Sequence, residues 1–185
     1  VKGDDELFNT SQIVFCHGEN LEHGASLHSQ ISAHRNAVKI NELIGKKHPE
    51  LMITLPEGGT DPHLWLDASL WAEAVDPIAD HLCLSLPSEE KQIRSNAKAL
   101  KDEILKTDQW IQEKFASIDS NKKYLVSTHD AFRYFSRHYL TPQGDDFNLH
   151  AVAPEGVAPE GQIGFQQIKG MVDFVQKPYQ LEQLE

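Results

Sequence analysis

Cysteine is nearly absent from this 185-residue sequence, with only Cys16 and Cys83. Two are too few for a disulfide framework, and they lack C-x-x-C spacing, so we expect two free, buried thiols acting as small core hydrophobes. Long hydrophobic runs are missing as well. None approaches the roughly 20 apolar residues that a membrane-spanning helix requires. Basic charge is in short supply: 17 Lys and Arg against 28 Asp and Glu leave a net charge of −11, a field that repels phosphate backbones and anionic headgroups. Nucleic acid is therefore excluded as an expected partner. The start, Val1-Lys2-Gly3-Asp4-Asp5, has neither the basic nor the apolar region of a secretion signal. Any export signal has been removed or lies upstream, and the compartment is not legible there.

What is present is enough apolar residue, 39%, to build a substantial core, and ten histidines. Neutral imidazole is the commonest transition-metal ligand, so the composition leans toward cationic partners. Apolar runs at residues 12–16 and 36–40, with a patterned stretch between them, predict strand, helix, strand, and LMITL at 51–55 predicts a further strand. Gly58-Gly59-Thr60-Asp61-Pro62 is a loop signal that presents His63. Asp67 can cap the next helix, whose inward face would carry Trp71, Val75, Ile78 and Leu82. Pro77 should break it, with Asp76 and Pro77 suited to start a second segment.

From Ser88 onward, apolar residues recur at helical spacing from Ile93 through Ile118, which predicts one long, mostly solvated helix. Tyr124 to Thr128 then reads as a strand that stops at His129. Asp130 can cap a helix from Ala131 to Tyr139 with Phe132, Phe135 and Tyr139 inward. Residues 147–153 read as a strand, and a helix with Ile163, Ile168, Val172 and Val175 follows. The outline is α/β: an N-terminal lobe over residues 1–87, a long helix over 88–118 and a partial C-terminal lobe over 119–185. A coiled-coil or hairpin role remains an alternative for the long helix.

Short catalytic and nucleotide-binding motifs are lacking: there is no G-x-S-x-G, H-E-x-x-H, EF-hand loop or complete phosphate loop. No two histidines lie three or four apart on a helix, so a metal site would need ligands distant in sequence. Two candidates stand out, His63 in Asp61-Pro62-His63-Leu64-Trp65-Leu66-Asp67 and His129 in Ser127-Thr128-His129-Asp130-Ala131-Phe132. Each falls at the carboxyl-end rim of an α/β unit, where open sheets bind ligands. On spacing alone, a solvated or core histidine is the commoner outcome. Asp61, Asp67 and Asp130 could accept hydrogen bonds from imidazole, although the latter two are equally suited to capping. The tryptophans Trp65, Trp71 and Trp110 read as core or lobe-packing residues. His23, His28, His34, His48, His81, His138 and His150 read as having no metal role.

The segments DPHLWLD and YLVSTHDAFRYFSRHY, with a spacer helix between them, resemble the zinc, manganese and iron group of ABC-transporter solute-binding proteins. FCHGENLEHGASL and APEGVAPEGQI are closest to its chlamydial, iron-linked branch. The resemblance implies two α/β lobes joined by one long helix, with a divalent transition metal (Zn, Fe or Mn) held by four side chains. His63 matches the second ligand and His129 the third. The first, a His, would precede Val1, and the fourth, an Asp, would lie well beyond residue 175, so the resemblance implies an internal fragment or an incomplete chain. His17 stands where Asn is typical, and Pro77 interrupts a helix that is usually continuous. The implied function is metal capture in the periplasm or cell envelope, with lipid anchoring open, and delivery to an ABC-transporter membrane permease by a protein monomeric at full length. The resemblance implies a binding protein and not an enzyme. The alternatives are a metal-dependent hydrolase using His63 and His129, or an adhesin on the same fold.

Overall fold

Strand β1 (Val14–Cys16) and strand β2 (Ala37–Lys39) run parallel in register Val14↔Ala37, Phe15↔Val38 and Cys16↔Lys39. Helix α1 (Ala25–Ala33) forms the crossover between them. This βαβ unit opens a computed structural model that describes residues 6, 8, 10–19, 21, 22 and 24–153. The chain divides into two units, Val1–Asp108 and Gln109–Glu185.

In the first unit, β1 ends at a bend that requires glycine. Gly18 has φ +83°, and a Cβ there would come within 3.1 Å of the Lys39 Cβ, so an L side chain would be strained and crowded at once. The Glu22 carboxylate closes the bend by accepting from the N–H groups of His17 (2.6 Å) and Gly18 (3.0 Å). Helix α2 (Ile40–Lys47) follows β2 directly and buries Ile40, Asn41 and Ile44.

The predicted strand at 51–55 does not form. Pro49–Leu51 is a 3₁₀ turn, and only Thr54 makes a bridge, antiparallel to Thr60. An apolar run cannot add a strand where the chain reverses at once, and it does so through Gly58 and Gly59, both at positive φ. Ile53 is nonetheless buried.

Helix α3 (Ala68–Trp71), a 3₁₀ turn (Ala72–Ala74) and helix α4 (Val75–Ser85) follow. The break therefore comes at 72–74 rather than at Asp76-Pro77. Pro77 sits in the first turn of α4, where its missing N–H would have no partner within the helix. The inward face is also shifted. Val75, Ala79 and Cys83 are buried, while Trp71, Ile78 and Leu82 line a groove of about 370 Å³ with Ile93, Ala97 and Ile104. Both cysteines are free, Cys83 buried and Cys16 half-buried. Burial, reinforced by Glu22, pushes the Cys16 thiol up to about 11, which keeps it protonated and inert.

Helix α5 (Glu90–Ala116) is the long element expected from Ser88, entered through a 3₁₀ turn at Pro87–Glu89. Its 27 residues span about 40 Å, and Asp108 is its one buried residue. The division between the units falls within this helix. Among the described residues, no helix is long and apolar enough to cross a membrane.

The second unit repeats the parallel pairing in brief: β3 (Leu125–Val126) lies beside β4 (Ala151–Val152). Both strands are shorter than predicted, and β4 starts late because Phe147–Leu149 winds into a 3₁₀ turn. Helix α6 (Arg133–Phe135) continues as a π-type turn over Ser136–Leu140. Tyr134, outside the predicted inward stripe, is fully buried and Phe132 and Phe135 are half-buried, while Tyr139 of that stripe is buried in this turn. Ser136 anchors it by donating to the Phe147 carbonyl at 2.6 Å. The predicted helix containing Ile163 to Val175 lies outside the described residues.

Candidate metal site

His63 follows the Gly58-Gly59 reversal, and its ring is oriented by a carboxylate two residues earlier. Asp61 is fully buried, and its Oδ1 accepts from the backbone N–H of His63 (3.0 Å) and from Nδ1 of the ring (2.6 Å). A carboxylate accepts only, so the ring proton sits on Nδ1 and the lone pair on Nε2. This is the arrangement in which a protein prepares an imidazole to bind a metal through Nε2, with the acidic partner fixing the tautomer and the ring orientation. Leu64, wholly buried beside it, pins the loop to the core.

An aromatic cluster surrounds that histidine. Trp65 meets His63 edge to face at 5.4 Å between ring centroids and His17 at 4.8 Å, while Trp71 stacks on His17 at 5.3 Å and 13°. Trp65 and Trp71 are thus half-buried packing partners of imidazoles rather than core residues. Trp110 is 57% exposed with the Lys114 Nζ 5.8 Å from its ring centroid, which overturns the core half of its core or lobe-packing reading.

His129, in the second unit, lies in the bend after β3. Ser127 holds its backbone from both sides: the Ser127 Oγ donates to the His129 carbonyl (3.0 Å) and accepts from its N–H (3.2 Å). The Ala131 N–H donates to the same carbonyl at 2.9 Å. A strand end, a serine and a tight turn therefore present the side chain at the carboxyl end of β3.

The three aspartates divide. Asp61 is the imidazole acceptor. Asp67 is the helix cap, accepting from the Leu70 N–H (3.0 Å) and the Ser69 hydroxyl (2.6 Å). Asp130 does neither: the N-cap of α6 is Phe132, and Asp130 pairs instead with Arg133 at 2.5 Å. A bidentate-capable guanidinium three residues away outcompetes backbone donors for that carboxylate. Among the other histidines, His34 contacts the Ser11 carbonyl (3.1 Å), His48 contacts Glu73 (3.3 Å) and His150 contacts the Lys123 carbonyl (2.7 Å). His23 lies outside the described residues. Sequence reasoning missed Asn41, which is fully buried and donates to the Pro62 carbonyl at 2.7 Å. Its partner is 21 positions away, and no local pattern announces it.

Comparison with known proteins decides the family. The family model described as zinc-uptake complex component A, periplasmic (ZnuA), matches residues 3–179. The chain belongs to the ZnuA family. Among curated ZnuA-type relatives, it is 36% identical over 180 residues to the metal-binding protein YtgA of Chlamydia pneumoniae, covering 95% of this chain and 54% of that one. It is 30% identical over 138 residues to the zinc-binding protein TroA of Treponema pallidum, covering 74% and 44%. The chain thus spans about half the length of these relatives. The crystal structure of Fe(III)-bound YtgA from Chlamydia trachomatis superimposes with a TM-score of 0.88 at 31% identity, covering 96% of this chain and 64% of that one. The expected α/β architecture with one long helix agrees with this likeness.

Proposed function

We propose that this chain is the metal-capturing part of an extracytoplasmic solute-binding protein that collects a transition metal ion and delivers it to an ABC-transporter permease. His63 and His129 are two ligands of the same ion, and the protein is a monomer at full length. The observation that carries the reading is the 2.6 Å hydrogen bond from His63 Nδ1 to buried Asp61, which leaves Nε2 as the ligating atom. The acidic balance, −11 overall, raises the local concentration of cations.

Imidazole donors suit zinc and other first-row ions, and the affinity order favours zinc over manganese and iron(II) in vitro. Relatives are named for binding manganese, zinc and iron, and the structure of the C. trachomatis relative holds Fe(III), so the cargo class extends beyond divalent ions. Release follows from linkage: the permease must bind the metal-free form better than the loaded one. No observation among the described residues favours the hydrolase or the adhesin alternative.

The test is calorimetric titration of zinc into the intact protein and its His63→Ala and His129→Ala variants. Each variant is expected to lose at least 100-fold in affinity with its fold preserved, beyond the 10- to 100-fold range of outer groups. Unaltered affinity in either would remove that residue from the site.

A further inference from the structure

Asn41 is wholly buried in the first turn of α2, a position where a short amide competes with the helix backbone and contributes little apolar burial. Its two N–H donors have partners that explain its place, while its side-chain Oδ1 is buried without a hydrogen-bond partner among the described residues. Its backbone N–H, one of the donors that a helix start leaves without an internal acceptor, donates to the His17 carbonyl at 2.8 Å. Its side-chain Nδ2 donates to the Pro62 carbonyl at 2.7 Å, an oxygen that also accepts from the Leu64 N–H at 2.9 Å.

The Pro62 carbonyl and the His63 N–H belong to one peptide plane. Asn41 grips that plane at its oxygen, and Asp61 grips it at its nitrogen, at 3.0 Å. With the plane held at both ends and the ring held through Nδ1, the direction of the His63 side chain is over-determined before any ion arrives. Asn41 also ties the His17 segment to the same loop, and Trp65 packs against the rings of both His17 and His63. We propose that Asn41 is a positioning residue for the metal site, aiming the His63 imidazole through the Pro62 carbonyl. The proposal rests on His63 being a ligand.

The test uses the intact protein and the isosteric Asn41→Asp variant, whose carboxylate has no N–H to give Pro62, with Asn41→Ala as a second variant should the buried carboxylate prevent folding. Two readouts are taken. Zinc affinity, by competition with a chromophoric chelator, is measured with and without His63→Ala. The ring nitrogen signals of His63 are recorded by NMR in metal-free protein. We expect a 10- to 100-fold loss of affinity, no further loss once His63 is removed, and a shift of the His63 ring signals away from a single tautomer. Unchanged ring signals, or the same affinity loss with and without His63, would overturn the proposal. If His63→Ala alone leaves affinity intact, the metal reading of His63 fails, and the ring signals still decide whether Asn41 positions it.

Discussion

The two candidate ligands are held in contrasting ways. His63 is fixed both locally and from a distance: buried Asp61, two residues earlier, orients its ring, and buried Asn41, 22 positions upstream, holds the preceding carbonyl. His129 is fixed locally, its backbone bound by Ser127 and Ala131, both within two residues. Local turns re-form as soon as a strand ends, whereas a long-range clamp exists only when the whole unit has folded. The first unit therefore contributes a preorganised imidazole, and its integrity governs that ring's aim.

Substitutions separate these two modes. The largest effect of these is expected for Asp61→Ala, which removes the acceptor of the His63 backbone N–H and ring Nδ1; zinc affinity should fall about 10- to 100-fold, read by chelator competition. Ser127→Ala should cost less than about tenfold, because the Ala131 N–H still holds the His129 carbonyl. An equal loss in both would erase the contrast. Asp67→Ala removes a cap close to His63 in sequence but not in role: chemical denaturation should show about 1 kcal/mol lost with affinity unchanged.

The smallest effect concerns the ionic cluster of the first unit, where Lys47, with Lys101 and His48, holds Glu73 down at about 2 despite partial burial. Such a depressed carboxyl contributes stability that is full above its unfolded pKa, near 4.5, and is lost as pH falls toward about 2. Glu73→Gln should therefore cost about 1 kcal/mol at pH 7, with the deficit shrinking between pH 4.5 and 2. A deficit that stays constant with pH, followed by urea unfolding, would show that the cluster acts through packing.

Much of this was legible where the determinants are local. The Asp61-x-His63 spacing announced a carboxylate within reach of the ring, Ser127 to His129 announced a strand-end bend, and the helical period from Ile93 placed α5 to within two residues of its start. Legibility failed where a competing contact decided the outcome. LMITL has the composition of a strand, but the Gly58-Gly59 reversal left it one bridge. Asp130 has the residue type of a cap, but Arg133 took its carboxylate. Of the Phe132, Phe135 and Tyr139 stripe, Tyr139 is buried as the helical period announced, but Phe132 and Phe135 are half-buried and Tyr134 takes the fully buried place. Asn41 carried no signal at all, because a buried amide is explained only by the carbonyl it finds in the folded chain.

The most direct measurement is an anomalous-difference map from crystals of the zinc-loaded intact protein. The account predicts one peak about 2.0–2.1 Å from Nε2 of His63 and from a ring nitrogen of His129, with the His63 Nδ1 still on Asp61. A zinc peak bound by neither imidazole, or by His63 through Nδ1, would contradict it.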